Sequence, residues 1–179
     1  DELELLLMTQ SAPAETAAVF IEPGIGEGGY VVPPKSFMKG LRELTKQHGI
    51  LLVADEVQSG FGRTGKWFGH QHFDIEPDIM TVAKGLASGM PISGVINRLD
   101  LMAKWIPGSH GGTYGGNAVA AAAGVATIQA MKEEKMLENA CARGLQLKAG
   151  LGHLQEKYPQ MADVRGLGLM IGSEFRDAH

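Results

Sequence analysis

The sequence lacks the features of an extracellular or membrane-bound protein. It contains one cysteine, Cys141, so no internal disulfide can form, and a reducing compartment is expected. Its apolar runs are far shorter than the roughly 20 residues that a membrane-spanning helix needs. Residues 1–20 show neither the basic start nor the cleavage site of a signal peptide. We therefore predict a cytoplasmic protein without a membrane partner.

The sequence also lacks a strong excess of positive or negative charge. The formal net charge is −4, and acidic and basic residues are mixed along the chain. No basic run is long enough to predict a surface for nucleic acid or anionic lipid. The chain begins without an initiator methionine and stops just after a strand-like run, so we expect it to be a truncated part of a longer protein.

Hydrophobic patterns predict an α/β fold with a mostly parallel sheet and flanking helices. The continuous apolar run "ILLVAD" (50–55) is typical of a strand covered on both faces. Between Ser36 and His48, apolar residues recur at helical spacing, and Gly49 follows as a C-terminal cap. Further strands are predicted at 17–23, 77–84, 91–97 and 163–175, and further helices at 1–9, 117–134 and 136–158.

Residues 51–67 contain two patterns that are typical of nucleotide hydrolases. "LLVADE" resembles their metal-binding strand, and "GFGRTGKW" differs by one residue from the phosphate-binding loop G-x-x-x-x-G-K-[ST]. However, Trp67 replaces the residue that would bind magnesium, and no helical pattern follows the loop. The acidic strand also precedes the loop instead of following it. We therefore reject an ATPase.

Asp55 and Lys84 each lie at the end of a predicted strand. Ligands of open α/β sheets bind outside the carboxyl ends of the strands, so both side chains are expected in one crevice. One interpretation is a buried structural salt bridge. The other is a pyridoxal-phosphate site, because a buried lysine with a lowered pKa suits Schiff-base chemistry. A carboxylate that faces the pyridine nitrogen would then keep the ring protonated.

Three segments carry a resemblance to a known family. They are "IEPGIGEGGY" (21–30), "LLVADEVQSGFGRTGKWFGHQHFDIEPDIMTVAKGLASGMPISGVI" (51–96) and "HGGTYGGNAVAAAA" (110–123). Together they resemble class III aminotransferases, which are pyridoxal 5'-phosphate enzymes of the aspartate-aminotransferase fold (fold type I). The sequence of these segments is most similar to that of 4-aminobutyrate aminotransferases, and it is nearly as similar to acetylornithine and ornithine aminotransferases. The resemblance extends from about residue 16 to about residue 175.

This resemblance implies roles for five residues at the cofactor. Lys84 would carry it as a Schiff base and move the proton, and Asp55 would pair with the pyridine nitrogen. Val57 would pack on the ring, and Gln58 would bind the phenolic oxygen. Thr113 would bind the phosphate, that of a partner subunit in the family arrangement. Core packing for Val57, a polar loop role for Gln58 and a turn role for Thr113 are the alternatives.

Three glutamates are treated separately. Glu27 matches the family position near the substrate, where the carboxylate pairs with an arginine or releases it according to the amino donor. A solvated loop acid is the alternative. Glu22 is expected to stabilise the cleft, and Glu56 to be either functional or a structural hydrogen-bonding acid. The histidines lack the spacing of metal ligands, so no metal site is predicted.

The resemblance also implies a domain organisation and an assembly. Residues 1–134 would be part of the cofactor-binding large domain, and 135–179 the connecting helix and the start of the small C-terminal domain. The upstream phosphate loop and the downstream arginine of full-length relatives are not found here, so the chain alone is expected to be almost inactive. Because Thr113 would serve a neighbouring subunit, we expect a homodimer or a dimer of dimers.

The predicted activity is transfer of an amino group from a 4-aminobutyrate-like donor to 2-oxoglutarate. Its partners would be small molecules, an amino donor and a 2-oxo acid acceptor. Acetylornithine or ornithine aminotransferase, and an amino-acid racemase or epimerase on the same scaffold, remain alternatives. A truncated remnant that serves as an interaction module is the non-catalytic alternative.

Overall fold

A four-stranded sheet organises the first part of the chain. The computed structural model describes residues 2–176, and the strands follow the spatial order β1-β2-β3-β4. They are β1 (Ala18–Ile21), β2 (Leu51–Asp55), β3 (Ile79–Val82) and β4 (Gly94–Asn97). The first three are parallel, and β4 runs antiparallel to β3. The predicted α/β fold with a mostly parallel sheet is therefore confirmed, with β4 as the exception.

The predicted helices are confirmed within a few residues. The structure contains α1 (Glu2–Thr9), α2 (Lys35–His48), α3 (Leu99–Met102), α4 (Ala118–Glu133) and α5 (Met136–Lys157). Gly49 ends α2 in the left-handed conformation, as its position in the sequence predicts. Asn117 begins α4, since its side chain accepts a hydrogen bond from the Ala120 N–H. Within residues 2–176, no helix combines the length and apolar character that crossing a bilayer would require.

The last part of the chain is a β-hairpin, so the prediction of one strand over 163–175 was wrong. The hairpin consists of β5 (Met161–Leu167) and β6 (Met170–Phe175), which pair antiparallel as a separate sheet. Gly168, at a φ of 53°, turns the chain between the two strands. A left-handed turn of this kind favours glycine, so "GLGL" was a turn signal inside an otherwise strand-like run.

The core lies between α2 and the sheet. Met38 and Leu41 of α2 are buried, as are Leu52 and Val53 of β2. Next to this core, Asp78 precedes β3 at the amino end of the sheet and is almost fully buried. Its carboxylate accepts hydrogen bonds from Arg42, Arg98 and the backbone N–H of Leu52. This cluster ties α2 and β4 to the two central strands.

Candidate active site

Asp55 lies at the carboxyl end of β2 with one carboxylate oxygen fixed. Oδ1 accepts hydrogen bonds from the Val57 N–H at 3.0 Å and from the Thr81 hydroxyl at 3.1 Å. Thr81 is the residue opposite Asp55 in the parallel pairing of β2 with β3. Among the described residues, no hydrogen bond to Oδ2 is present. The carboxylate is therefore oriented by its neighbours, while its second oxygen is available to a ligand.

Lys84 follows β3, the strand next to β2, and begins a short 3₁₀ helix, Lys84–Ala87. Because β2 and β3 are parallel neighbours, both residues lie at the same edge of the sheet, as predicted. The side chain is exposed, which corrects the expectation of a buried lysine. Within residues 2–176, Lys84 forms no ion pair with Asp55, so the alternative of a structural salt bridge between the two is not supported. Its φ of 37° is strained for a side-chain-bearing residue, and such strain is concentrated at functional sites.

Glu56 has the structural role that was one of its two interpretations. Its carboxylate is fully buried and accepts four hydrogen bonds, from the Ser59 hydroxyl, the N–H groups of Gly69 and His70, and the His70 ring. Burial alone would raise the pKa of Glu56, but these hydrogen bonds outweigh it and lower the pKa. Glu56 thereby fixes the chain that carries Asp55 and Gln58.

The glycine-containing segment "GFGRTGK" (60–66) is followed only by a short 3₁₀ helix, Gly69–His72. A phosphate-binding loop would be followed by a longer helix, so this agrees with the rejection of an ATPase.

Glu27 lies in a loop that we name the Glu27 loop (residues 22–31). Its side chain is exposed, and Oε1 accepts a hydrogen bond of 2.9 Å from Gln58 Nε2. Two residues that the sequence assigns to substrate and cofactor are therefore in direct contact. The Glu22 carboxylate accepts a 2.7 Å hydrogen bond from the Gly26 N–H, so Glu22 stabilises the loop, as expected.

Within residues 2–176, Thr113 forms no hydrogen bond with Asp55, Gln58 or Glu27. It is exposed and lies in the irregular segment before α4, where it lines a cavity with Ser93 and Asn117. Lys84 lines a different cavity, of about 670 Å³, together with residues of α4 and α5. The structure therefore brings Gln58, which is near Asp55 in the chain, into contact with Glu27, and it places Lys84 just after the strand that neighbours β2. Thr113 lines a different cavity from Lys84.

Sequence reasoning missed two residues that support the site. Thr81 orients Asp55, and Arg165 donates a hydrogen bond to the Glu27 loop at the Gly29 carbonyl. A single sequence gives no strand register and therefore cannot pair Thr81 with Asp55. In the described part of the chain, no group of three or more His, Cys, Asp and Glu side chains could hold a metal ion.

Relatives of known activity match most of this chain. It is 46% identical over 96% of its length to the 5-aminovalerate aminotransferase DavT of Pseudomonas putida, and covers 40% of that protein. It is 44% identical over 93% of its length to the 4-aminobutyrate aminotransferase GabT of Escherichia coli, and again covers 40% of it. A leucine/methionine racemase of Thermococcus litoralis is 47% identical over 87% of the chain, which covers 35% of that enzyme. The chain thus spans well under half the length of these relatives.

Solved structures show the same backbone. A taurine:2-oxoglutarate aminotransferase of Bifidobacterium kashiwanohense, solved with PLP and glutamate, matches 97% of this chain with a TM-score of 0.92 at 34% identity. An ornithine δ-aminotransferase of Plasmodium falciparum matches 97% with a TM-score of 0.89 at 38% identity. The chain covers 40% and 45% of these two structures. The predicted fold type I backbone is thereby confirmed. Because the model of the family "Aminotransferase class-III" matches residues 1–179, this chain belongs to the class III aminotransferases.

Proposed function

We propose that the chain is the cofactor-binding part of a longer ω-aminotransferase, which moves an amino group from a 4-aminobutyrate-like donor to 2-oxoglutarate. The family is pyridoxal-phosphate-dependent, and relatives that act on 5-aminovalerate and 4-aminobutyrate match nearly the whole chain. The observation that carries the proposal is the pair at the carboxyl ends of β2 and β3. Asp55 has one free carboxylate oxygen, and Lys84 has no acidic partner among the described residues.

The donor set fits pyridoxal phosphate at Asp55. A protonated pyridine nitrogen carries one N–H and a positive charge. A carboxylate oxygen accepts a strong, charge-assisted hydrogen bond from such a group. Because Val57 and Thr81 already occupy Oδ1 of Asp55, Oδ2 would accept the hydrogen bond from this N–H. When bound, the cofactor supplies an electron sink for the carbon that loses its proton.

Lys84 is the proposed point of attachment and the base. Its Nζ would hold the cofactor covalently at rest and, once displaced by substrate, would move the proton at the reacting carbon. Gly85 and Ser88 line the same cavity as Lys84, and their small size leaves room for a ligand to approach the amine. The strained backbone at Lys84 is of the kind found at functional sites. Val57 would pack against the cofactor ring.

Gln58 connects the proposed cofactor and substrate positions. Its Nε2 carries two hydrogens, and Glu27 accepts one of them. The second would bind the phenolic oxygen of the cofactor. Glu27 would face the substrate and bind the arginine expected elsewhere in the longer protein. Thr113, which is exposed and lines a different cavity from Lys84, would bind the cofactor phosphate of a second subunit, so the proposed assembly is at least a homodimer.

The test is made on the whole protein with pyridoxal phosphate. We expect formation of glutamate from 2-oxoglutarate with 4-aminobutyrate or 5-aminovalerate as donor, and its loss in Lys84→Ala. The control is Lys66→Ala, which removes an exposed lysine on the turn that contacts the Gln71 carbonyl. Failure to form glutamate with any ω-amino donor would contradict the proposal.

Two other activities are distinguished by the same assay. The similarity to a leucine/methionine racemase and to an ornithine δ-aminotransferase makes each a specific alternative. A racemase would invert an amino acid without any 2-oxo acid and would form no glutamate. An acetylornithine or ornithine aminotransferase would form glutamate, with these donors preferred over 4-aminobutyrate.

The domain boundary near residue 135 and the cytoplasmic location are also proposals. The four-stranded sheet precedes residue 135, while the separate hairpin follows α5, and Lys135 interrupts the helical path between α4 and α5 at a φ of 51°. Residues 177–179, with which the second predicted domain segment ends, lie outside the described part. A reducing location is supported by Cys141, which is exposed and unpaired.

A further inference from the structure

We propose that Arg165 is a positioning residue for Glu27. By binding the Gly29 carbonyl, Arg165 holds the Glu27 loop against the β5–β6 hairpin, and it thereby sets the balance between the ω-amino donor and glutamate as substrates. The inference rests on the proposed function, because that balance exists only in an aminotransferase with two kinds of substrate. It assigns a role in the site to a strand that is remote from it in sequence.

The contact between Arg165 and the loop is direct and charged. Arg165 Nε donates a 2.8 Å hydrogen bond to the carbonyl oxygen of Gly29. Its Nη1 is paired with Asp163 at 2.8 Å and with Glu174 at 2.6 Å. These two acids lie on the two strands of the hairpin, so the guanidinium is oriented from both sides. A planar group held in this way loses little further conformational freedom when it binds the carbonyl.

Two glycines allow the hairpin and the loop to approach closely. Gly29 has a φ of 109°, and a Cβ there would come within 2.9 Å of Arg165 Nη2. On β6, a Cβ at Gly172 would lie 3.2 Å from the Gly29 carbonyl oxygen and equally close to the Tyr30 side chain. Nearby, Pro23, Thr64 and Met170 line a cavity of about 10 Å³, no larger than one water needs. The interface is therefore closely packed, and a shift of the hairpin would be transmitted to the loop.

The hairpin itself is anchored to the rest of the fold. The Leu169 N–H at its tip donates to the Arg63 carbonyl at 2.9 Å, and Lys148 of α5 donates to the Gly166 carbonyl at 3.2 Å. The hairpin is thus a fixed support, and Arg165 connects it to the Glu27 loop.

Within the loop, the position of Gly29 determines that of Glu27. The N–H groups of Gly29 and Tyr30 both donate to the Gly26 carbonyl, which directly precedes Glu27. On the other side, Glu27 is bound to Gln58. Displacement of Gly29 would therefore move the Glu27 carboxylate relative to Gln58. Glu27 distinguishes the two kinds of substrate in the proposed mechanism, so their rates should change unequally.

The experiment compares Arg165→Met with Arg143→Met in the whole protein loaded with pyridoxal phosphate. Arg143→Met is the matched control, because it makes the same change at an exposed arginine of α5 whose hydrogen bond is to Gln146 of the same helix. The value of kcat/KM is measured separately for the ω-amino donor and for glutamate. Arg165→Met should change their ratio by about tenfold, since misplacing a group by 1 Å can cost about 100-fold in rate. The control should change it by less than about twofold.

Hydrogen–deuterium exchange in the same proteins supplies a readout that does not depend on activity. The amides of residues 22–31 should exchange faster in Arg165→Met and at the wild-type rate in Arg143→Met. Gly172→Ala retains Arg165 but brings a Cβ to 3.2 Å from the Gly29 carbonyl oxygen, a contact that a small shift of the loop must relieve, so it should change the substrate ratio in the same direction as Arg165→Met and by less.

The outcomes separate this inference from the proposed function. A changed ratio together with faster loop exchange supports the positioning role. Unchanged exchange in Arg165→Met refutes it, as does an equal loss of both activities, which a merely structural role would give. If the wild-type protein transfers no amino group at all, the proposed function fails and the specificity role fails with it.

Discussion

The buried carboxylate of Glu56 provides a quantitative test of the structure. Replacing Glu56 with glutamine keeps the shape of the side chain but places an NH₂ group where one carboxylate oxygen was. If the NH₂ group takes the place of Oε2, it faces the Gly69 N–H, and if it takes the place of Oε1, it faces the His70 N–H. Two donors then face each other. In either orientation one backbone donor loses its acceptor. Since an unsatisfied buried donor costs about 1–3 kcal/mol, we expect Glu56→Gln to lower the free energy of unfolding by about 2 kcal/mol.

The same substitution should weaken the dependence of stability on pH. Because the folded structure lowers the pKa of Glu56, the carboxylate contributes stability that is fully present above its unfolded pKa. This contribution is lost as the pH falls through the folded pKa. The difference between wild type and Glu56→Gln should therefore be largest at neutral pH and smaller at about pH 3.

Urea unfolding of the purified chain, followed by circular dichroism at both pH values, measures these differences. Glu76→Gln is the control, since Glu76 is exposed and its substitution should stay within about 0.5 kcal/mol of wild type. A Glu56→Gln protein as stable as this control at neutral pH would show that the four hydrogen bonds do not hold Glu56 as described.

Three further substitutions test other parts of the molecule. Lys84→Ala should abolish covalent retention of pyridoxal phosphate after borohydride reduction, measured by mass spectrometry of the whole protein; retention equal to that of Lys66→Ala would exclude Lys84 as the attachment point. Thr81→Val removes one hydrogen bond to Asp55 and should weaken cofactor binding about fivefold, since such a bond contributes about 1 kcal/mol; equilibrium titration checks this, and an unchanged affinity would contradict the orienting role. Asp78→Asn leaves two arginines without their buried anion and should cost about 3 kcal/mol of unfolding free energy; a melting temperature equal to wild type would argue against a structural ion cluster.

The sequence predicted the elements better than their contacts. Buried positions can be predicted from the apolar run at 50–55 and from the periodic apolar residues of α2. Gly49 predicted the end of α2, which the structure confirms. The hairpin was missed because residues 163–175 read as one strand-like run, in which Gly166 and Gly168 were not interpreted as a turn. Local pattern is set by neighbouring residues, so it can be read from a sequence without knowing the fold.

The contacts that fix the site depend on parts of the chain that meet only after folding. Asp55 and Lys84 were expected at one edge of the sheet because parallel strands end together, and β2 and β3 do so. The hydrogen bond of Thr81 to Asp55 requires the register between those strands. The bond from Arg165 to Gly29 joins residues 136 positions apart, and no spacing rule connects them. That the cofactor is bound by Lys84, Asp55, Val57, Gln58 and Thr113 stays a prediction.

The short strand β3 has Asp78 before its first residue and Lys84 beyond its last. The anion with its two arginines is at one end, and the amine proposed for chemistry is at the other. Inherited changes at the first end should lower the amount of intact protein in a cell while each surviving molecule keeps its turnover. Changes at the Lys84 end should leave the amount of protein normal and abolish the activity of each molecule. Protein yield and specific activity together would therefore show which end of β3 a variant has damaged.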